Sequence, residues 1–71
     1  MEFLEAVGDR VRKLRTGKHI SQETFAKQLG YDRTYLSRVE SGKQNITIGT
    51  LKRICDGLGV TVKEFFDFEE D

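Results

Sequence analysis

Residues 21–45, Ser21-Gln-Glu-Thr-Phe-Ala-Lys-Gln-Leu-Gly30-Tyr-Asp-Arg-Thr-Tyr-Leu-Ser-Arg-Val-Glu40-Ser-Gly-Lys-Gln-Asn45, read as two short helices joined by a tight turn. Ser21 is a good N-cap, with Glu23 in the first turn behind it. Phe25, Ala26 and Leu29 share an inward face, and Gly30 suits the left-handed conformation that reverses a chain sharply after a helix. Asp32 is placed to cap the next helix, whose buried side is Leu36 and Val39 and which ends near Ser41-Gly42. Ala26 is small where that helix must cross closely over its predecessor.

The outward side of the second helix of the pair is more telling. At 3.6 residues per turn, Arg33, Thr34, Ser37 and Arg38 fall on one face, opposite Leu36 and Val39. Two guanidinium groups and two hydroxyls there match the hydrogen-bonding pattern of base edges in a DNA major groove, which is wide enough to admit a helix. An inert solvent face more often carries Glu and Lys. Backbone-phosphate contacts have separate candidates: Gln22 at the N-terminus of the first helix of the pair, and Lys43, Gln44 and Asn45 in the loop that follows the second. That loop also reads as an ordinary polar surface turn.

Elsewhere, glycines punctuate a chain that has no proline and no internal repeat, and they divide it into five helical segments. The first runs from about Phe3 to Arg15 with Leu4, Val7, Val11 and Leu14 as its apolar stripe and Glu2 and Glu5 in its first turn. Thr47 can cap a fourth helix with Ile48, Leu51, Ile54, Cys55 and Leu58 inward and Gly59 as its stop. Thr61-Val-Lys-Glu64 matches a capping box and opens a short fifth helix containing Phe65 and Phe66. β-Branched residues occur only singly, so strands are not expected. The fold class is an all-α bundle of five short helices with a helix-turn-helix at its centre, forming one domain over residues 1–68. Phe68 and the acidic residues 69–71 are expected to fray as a tail.

Seventy-one residues allow one small domain with a modest core. No apolar run approaches the roughly 20 residues of a membrane span, and nothing resembles a signal peptide. The single cysteine, Cys55, excludes an internal disulfide and suits a reducing cytoplasm; it reads as a small buried residue, with a reactive thiol as the alternative. The net charge is zero, but residues 10–53 carry eleven Lys/Arg against three acids, a balance of +8, and the rest carries −8. That asymmetry implies a basic working face with acidic ends held away from it. Lone His19 has no metal partner at ligand spacing, no catalytic constellation is present, and neither cofactor nor small-molecule ligand is expected.

From about Val7 to Phe66 the chain resembles the phage repressor/Cro-type, or Xre, helix-turn-helix family. The likeness rests on Leu14-Arg15, Ile20-Ser21-Gln22-Glu23, Phe25-Ala26, Leu29-Gly30, Leu36-Ser37, Val39-Glu40-Ser41-Gly42-Lys43 and the Leu51…Phe66 pattern. Within the family, Asp32-Arg-Thr-Tyr-Leu-Ser37 with Gln44-Asn45-Ile-Thr47 is similar to the controller proteins of restriction–modification systems. The resemblance implies a lambda-repressor-like fold and a sequence-specific transcriptional regulator. It implies base reading by Arg33, Thr34, Ser37 and Arg38, and phosphate contacts by Gln22, Tyr35, Lys43, Gln44 and Asn45. It further implies an ion pair between Arg15 and Glu40. Relatives usually carry glycine at the position of His19, so this histidine is expected to fill a left-handed site.

A homodimer is expected, because one recognition helix reads few base pairs, whereas two about one DNA turn apart, roughly 34–36 Å, read a pseudo-palindrome. Val60, Val62, Phe65 and Phe68 are the candidate dimer contact, an apolar excess that could equally pack internally. The alternative function is an antitoxin-like or adaptor protein whose main partner is another protein.

Overall fold

The computed structural model describes residues 2–69, and the expected fraying of residues 70–71 lies outside them. Five helices follow in order: α1 Phe3–Gly17, α2 Gln22–Leu29, α3 Arg33–Glu40, α4 Ile48–Leu58 and α5 Val62–Phe65. No strand occurs among the described residues.

Local chemistry sets most boundaries. Glu2 stands at the N-cap of α1, one position before the first turn assigned to it by sequence: its carboxylate accepts from the N–H groups of Leu4 and Glu5, and the Glu5 carboxylate accepts from the N–H of Glu2. Ser21, Thr47 and Thr61 cap α2, α4 and α5 as their sequence positions indicate. Asp32 departs from expectation: it holds the N-cap position of α3, but its carboxylate accepts no capping hydrogen bond. His19 adopts φ 59°, the left-handed conformation expected of it, and turns the chain from α1 into α2.

Val7 and Val11 from α1, Phe25, Ala26 and Leu29 from α2, Leu36 and Val39 from α3, Ile54, Cys55 and Leu58 from α4, and Phe65 from α5 form one core. Cys55 is fully enclosed, and burial pushes its thiol above the ordinary value, so it is a packing residue with little thiolate. Two glycines set how closely helices meet. A Cβ on Gly8 would lie 2.2 Å from the carbonyl oxygen of Val39, so α1 and α3 cross backbone against backbone. Gly42, at φ 76°, turns the chain after α3 while lying against Glu5 of α1.

Two apolar assignments need correction. Ile48 satisfies the inward periodicity of α4 but is 85% exposed, because the first turn of that helix extends past the core. Phe65 is fully buried and unavailable as a dimer contact. The capping box of Thr61 and Glu64 orients a single helical turn so that Phe65 points inward and Phe66, about 100° round the helix, points out. Phe68, at the start of the acidic tail, is half-buried, with the Arg10 guanidinium 5.6 Å from its ring centroid. Arg10 also donates to the carbonyls of Phe65 at 2.8 Å and Glu64 at 2.9 Å, tying the end of α5 to α1.

Candidate nucleic-acid interface

Burial of Leu36 and Val39 fixes the rotation of α3 and turns Arg33, Thr34, Ser37 and Arg38 outward. These four exposed side chains, with Gln22, line one shallow depression of about 270 Å³. α2 lies behind α3, held by Phe25, Ala26 and Leu29, so the readout face stands on a rigid support.

Beneath it lies a buried charge pair. The Arg15 Nε and Nη2 donate to the Glu40 carboxylate at 2.7 and 2.9 Å, and Arg15 Nη1 donates to the carbonyl of Ile20 at 2.7 Å. The hydrogen bond to Glu40 raises the Arg15 pKa further, so the guanidinium stays charged. Gln22 joins this network: its amide Nε2 donates to Glu40 Oε1 at 3.0 Å. Gln22 thus serves the ion pair while bordering the readout depression, so its side chain is not free for phosphate alone.

Tyr35 faces away from the depression. Its ring packs half-buried on the core, 5.0 Å from the Tyr31 ring at an interplanar angle of 53°. Arg53 of α4 stacks 5.4 Å from the Tyr31 centroid and donates to the carbonyl of Leu29 at 3.4 Å. Tyr31 and Arg53 were missed by sequence reasoning as supports of this corner. The four-residue spacing of the tyrosines was visible, but the approach of Arg53 from α4 was not.

Lys43 and Asn45 are exposed in the loop after α3, and Gln44 is half-buried between them. Arg38 is joined to that loop, with Nε donating to Gln44 Oε1 and Nη2 to the carbonyl of Lys43, each at 3.1 Å.

A second surface is apolar. Phe3, Ile48 and Phe66, 51%, 85% and 37% exposed, border a cleft of about 290 Å³ floored by Leu4, Val7 and Leu51. The Phe3 and Phe66 rings stack nearly parallel with centroids 6.4 Å apart. Of the sequence-assigned dimer residues, Val62 is exposed, Val60 and Phe68 are half-buried and Phe65 is enclosed. Among the described residues no cluster of His, Cys, Asp or Glu could hold a metal ion, and no helix is long and apolar enough to cross a membrane.

The helix-turn-helix family pattern matches residues 11–65, and the chain belongs to that family. Within it, the chain is 46% identical over 66 residues to control protein C.MunI of a Mycoplasma species, spanning 90% of this chain and 89% of that protein. The crystal structure of the restriction–modification controller protein C.AhdI from Aeromonas hydrophila superposes with a TM-score of 0.84 at 38% identity, covering 89% of this chain and 96% of that one. The controller protein C.Esp1396I, as a tetramer in complex with its natural 35 base-pair operator, matches with a TM-score of 0.85 at 36% identity, covering 94% and 88%.

Proposed function

We propose that this chain is a sequence-specific DNA-binding transcriptional regulator of the restriction–modification controller type. It acts in the cytoplasm as a homodimer that reads a pseudo-palindromic operator with α3 in the major groove. The observation that carries this reading is the shared outward face of Arg33, Thr34, Ser37 and Arg38 over a fully packed α2–α3 pair. Its hydroxyls and guanidinium groups complement base edges, and Lys43 and Asn45, with Tyr35 and the N-terminus of α2, orient the helix on the phosphates. The similarity to C.Esp1396I, solved in complex with its natural operator, supports a DNA-binding role for this chain. Recognition of this kind needs no catalytic group and no cofactor.

Dimerisation is assigned to the cleft of Phe3, Ile48 and Phe66, together with the exposed Val62 at the start of α5, four residues before Phe66. An isoleucine with 85% of its surface in water adds little to a monomer and is a natural anchor for an isologous contact.

Selection of bound sequences from a random DNA pool tests the reading, because it returns site, symmetry and spacing together. Arg33→Ala should relax preference at particular bases, costing about 1–3 kcal/mol, whereas Lys43→Ala should weaken all sequences alike and lower the salt slope by about one. Equal losses on specific and random DNA from both variants would remove α3 as the reader. DNA binding only in the presence of a second protein would favour an adaptor or antitoxin-like role.

A further inference from the structure

We propose that Gln44 is a positioning residue for base readout: it grips the side of the Arg38 guanidinium so that the adjoining Nη1/Nη2 end faces a guanine. The inference rests on α3 being the DNA-reading helix and adds a specificity role to a residue that its sequence position grouped with phosphate contacts.

A guanidinium is a planar fork of five N–H donors, and it can make paired hydrogen bonds along its Nε/Nη2 side or along its Nη1/Nη2 end. In this protein the side edge is taken. Arg38 Nε donates to Gln44 Oε1 and Nη2 to the carbonyl of Lys43, both at 3.1 Å. Among the described residues nothing else accepts from Arg38, which leaves Nη1 and the second N–H of Nη2 as an unused pair on a side chain that lines the depression with Arg33, Thr34 and Ser37. Guanine presents O6 and N7 side by side in the major groove, the complement of that pair.

The grip is itself anchored. A guanidinium only donates, so the Gln44 oxygen must face it; the Gln44 Nε2 then donates to the carbonyl of Asn45 at 3.2 Å. The loop closes back on α3 through the Lys43 N–H to the Arg38 carbonyl at 2.9 Å, and Gly42 seats it against Glu5 of α1. An otherwise flexible arginine is therefore ordered before DNA arrives, which removes part of the ordering cost of binding.

The test is parallel selection and binding measurement with the unsubstituted 71-residue chain and the variants Arg38→Ala, Gln44→Ala and Gln44→Glu, with thermal midpoints as the folding control. Arg38→Ala should reduce discrimination about tenfold at the base it reads. Gln44→Ala should relax that same base severalfold and leave the others unchanged. Gln44→Glu, whose carboxylate still accepts from Nε, should keep the discrimination ratio even though its charge lowers affinity for all DNA. A uniform loss across sequences in Gln44→Ala, with a shallower salt slope and intact discrimination, would make Gln44 a phosphate contact and overturn the proposal. If Arg38→Ala itself changes no base preference, the assignment of Arg38 to readout fails and takes the role of Gln44 with it. That outcome is distinct from failure at Gln44 alone.

Discussion

Arg15 and Glu40 meet through two hydrogen bonds of 2.7 and 2.9 Å with side chains only 10% and 3% exposed, joining α1 to the end of α3. Two charges so enclosed depend on each other, because neither can recover its hydration if the partner is removed. Glu40→Ala should destabilise the domain by about 3–5 kcal/mol in urea denaturation, while Arg15→Met with Glu40→Leu should recover much of the loss. Equal destabilisation by the single and double variants would show that lost packing, and not a stranded charge, causes most of the effect.

The crossing of α1 over α3 depends on Gly8 having no side chain. Gly8→Ala places a methyl 2.2 Å from the Val39 carbonyl oxygen and 2.7 Å from that of Glu40, both rigid helix backbone. The helices must separate, at about 1–3 kcal/mol for this kind of overpacking. Alanine is otherwise the better helix former by up to about 1 kcal/mol, so a stabilised Gly8→Ala protein would contradict the close crossing.

Ile48→Glu addresses the apolar cleft. At 85% exposure the side chain contributes little to the fold, so the variant should melt within about 0.5 kcal/mol of the parent monomer. Sedimentation at micromolar concentration should show the dimer converted to monomer, and operator affinity should fall with it. A variant that stays dimeric would move the interface away from Phe3, Ile48 and Phe66.

Acid should loosen the last helix. Glu64 accepts from the N–H of Thr61 at 2.8 Å, and that bond holds its carboxyl below the ordinary value of 4.5. A depressed folded-state pKa means the stabilisation is complete above the unfolded value and is lost as pH falls through the folded one. Asp9, lowered by Lys13 and then Arg12, adds to the same acid trend on α1. Glu64→Gln keeps a capping acceptor but cannot titrate. The stability difference between wild type and this variant should therefore favour wild type near neutrality and vanish below the carboxyl pKa. A difference independent of pH would remove Glu64 from the acid response.

Much of this protein was legible in its chain order. Ser21, Gly30, Thr47, Gly59 and the Thr61–Glu64 box act through hydrogen bonds and dihedral preferences within a few residues, so they mark helix ends without reference to the fold. The inward set Phe25, Leu29, Leu36 and Val39 likewise follows from helical period alone, and with it the outward set Arg33, Thr34, Ser37 and Arg38.

Only the tertiary structure decided how far each apolar stripe is covered and which polar arms are already engaged. Ile48 and Phe65 both suit a helical apolar face, yet one is in solvent and the other enclosed, because burial depends on what stands opposite and periodicity reports only direction. Gly8 looks ordinary within α1 until the Val39 carbonyl lies over it. The links of Arg38 to Gln44, Gln22 to Glu40 and Arg53 to Tyr31 depend on how helices and loops close in space, a geometry that side-chain identity and spacing leave open.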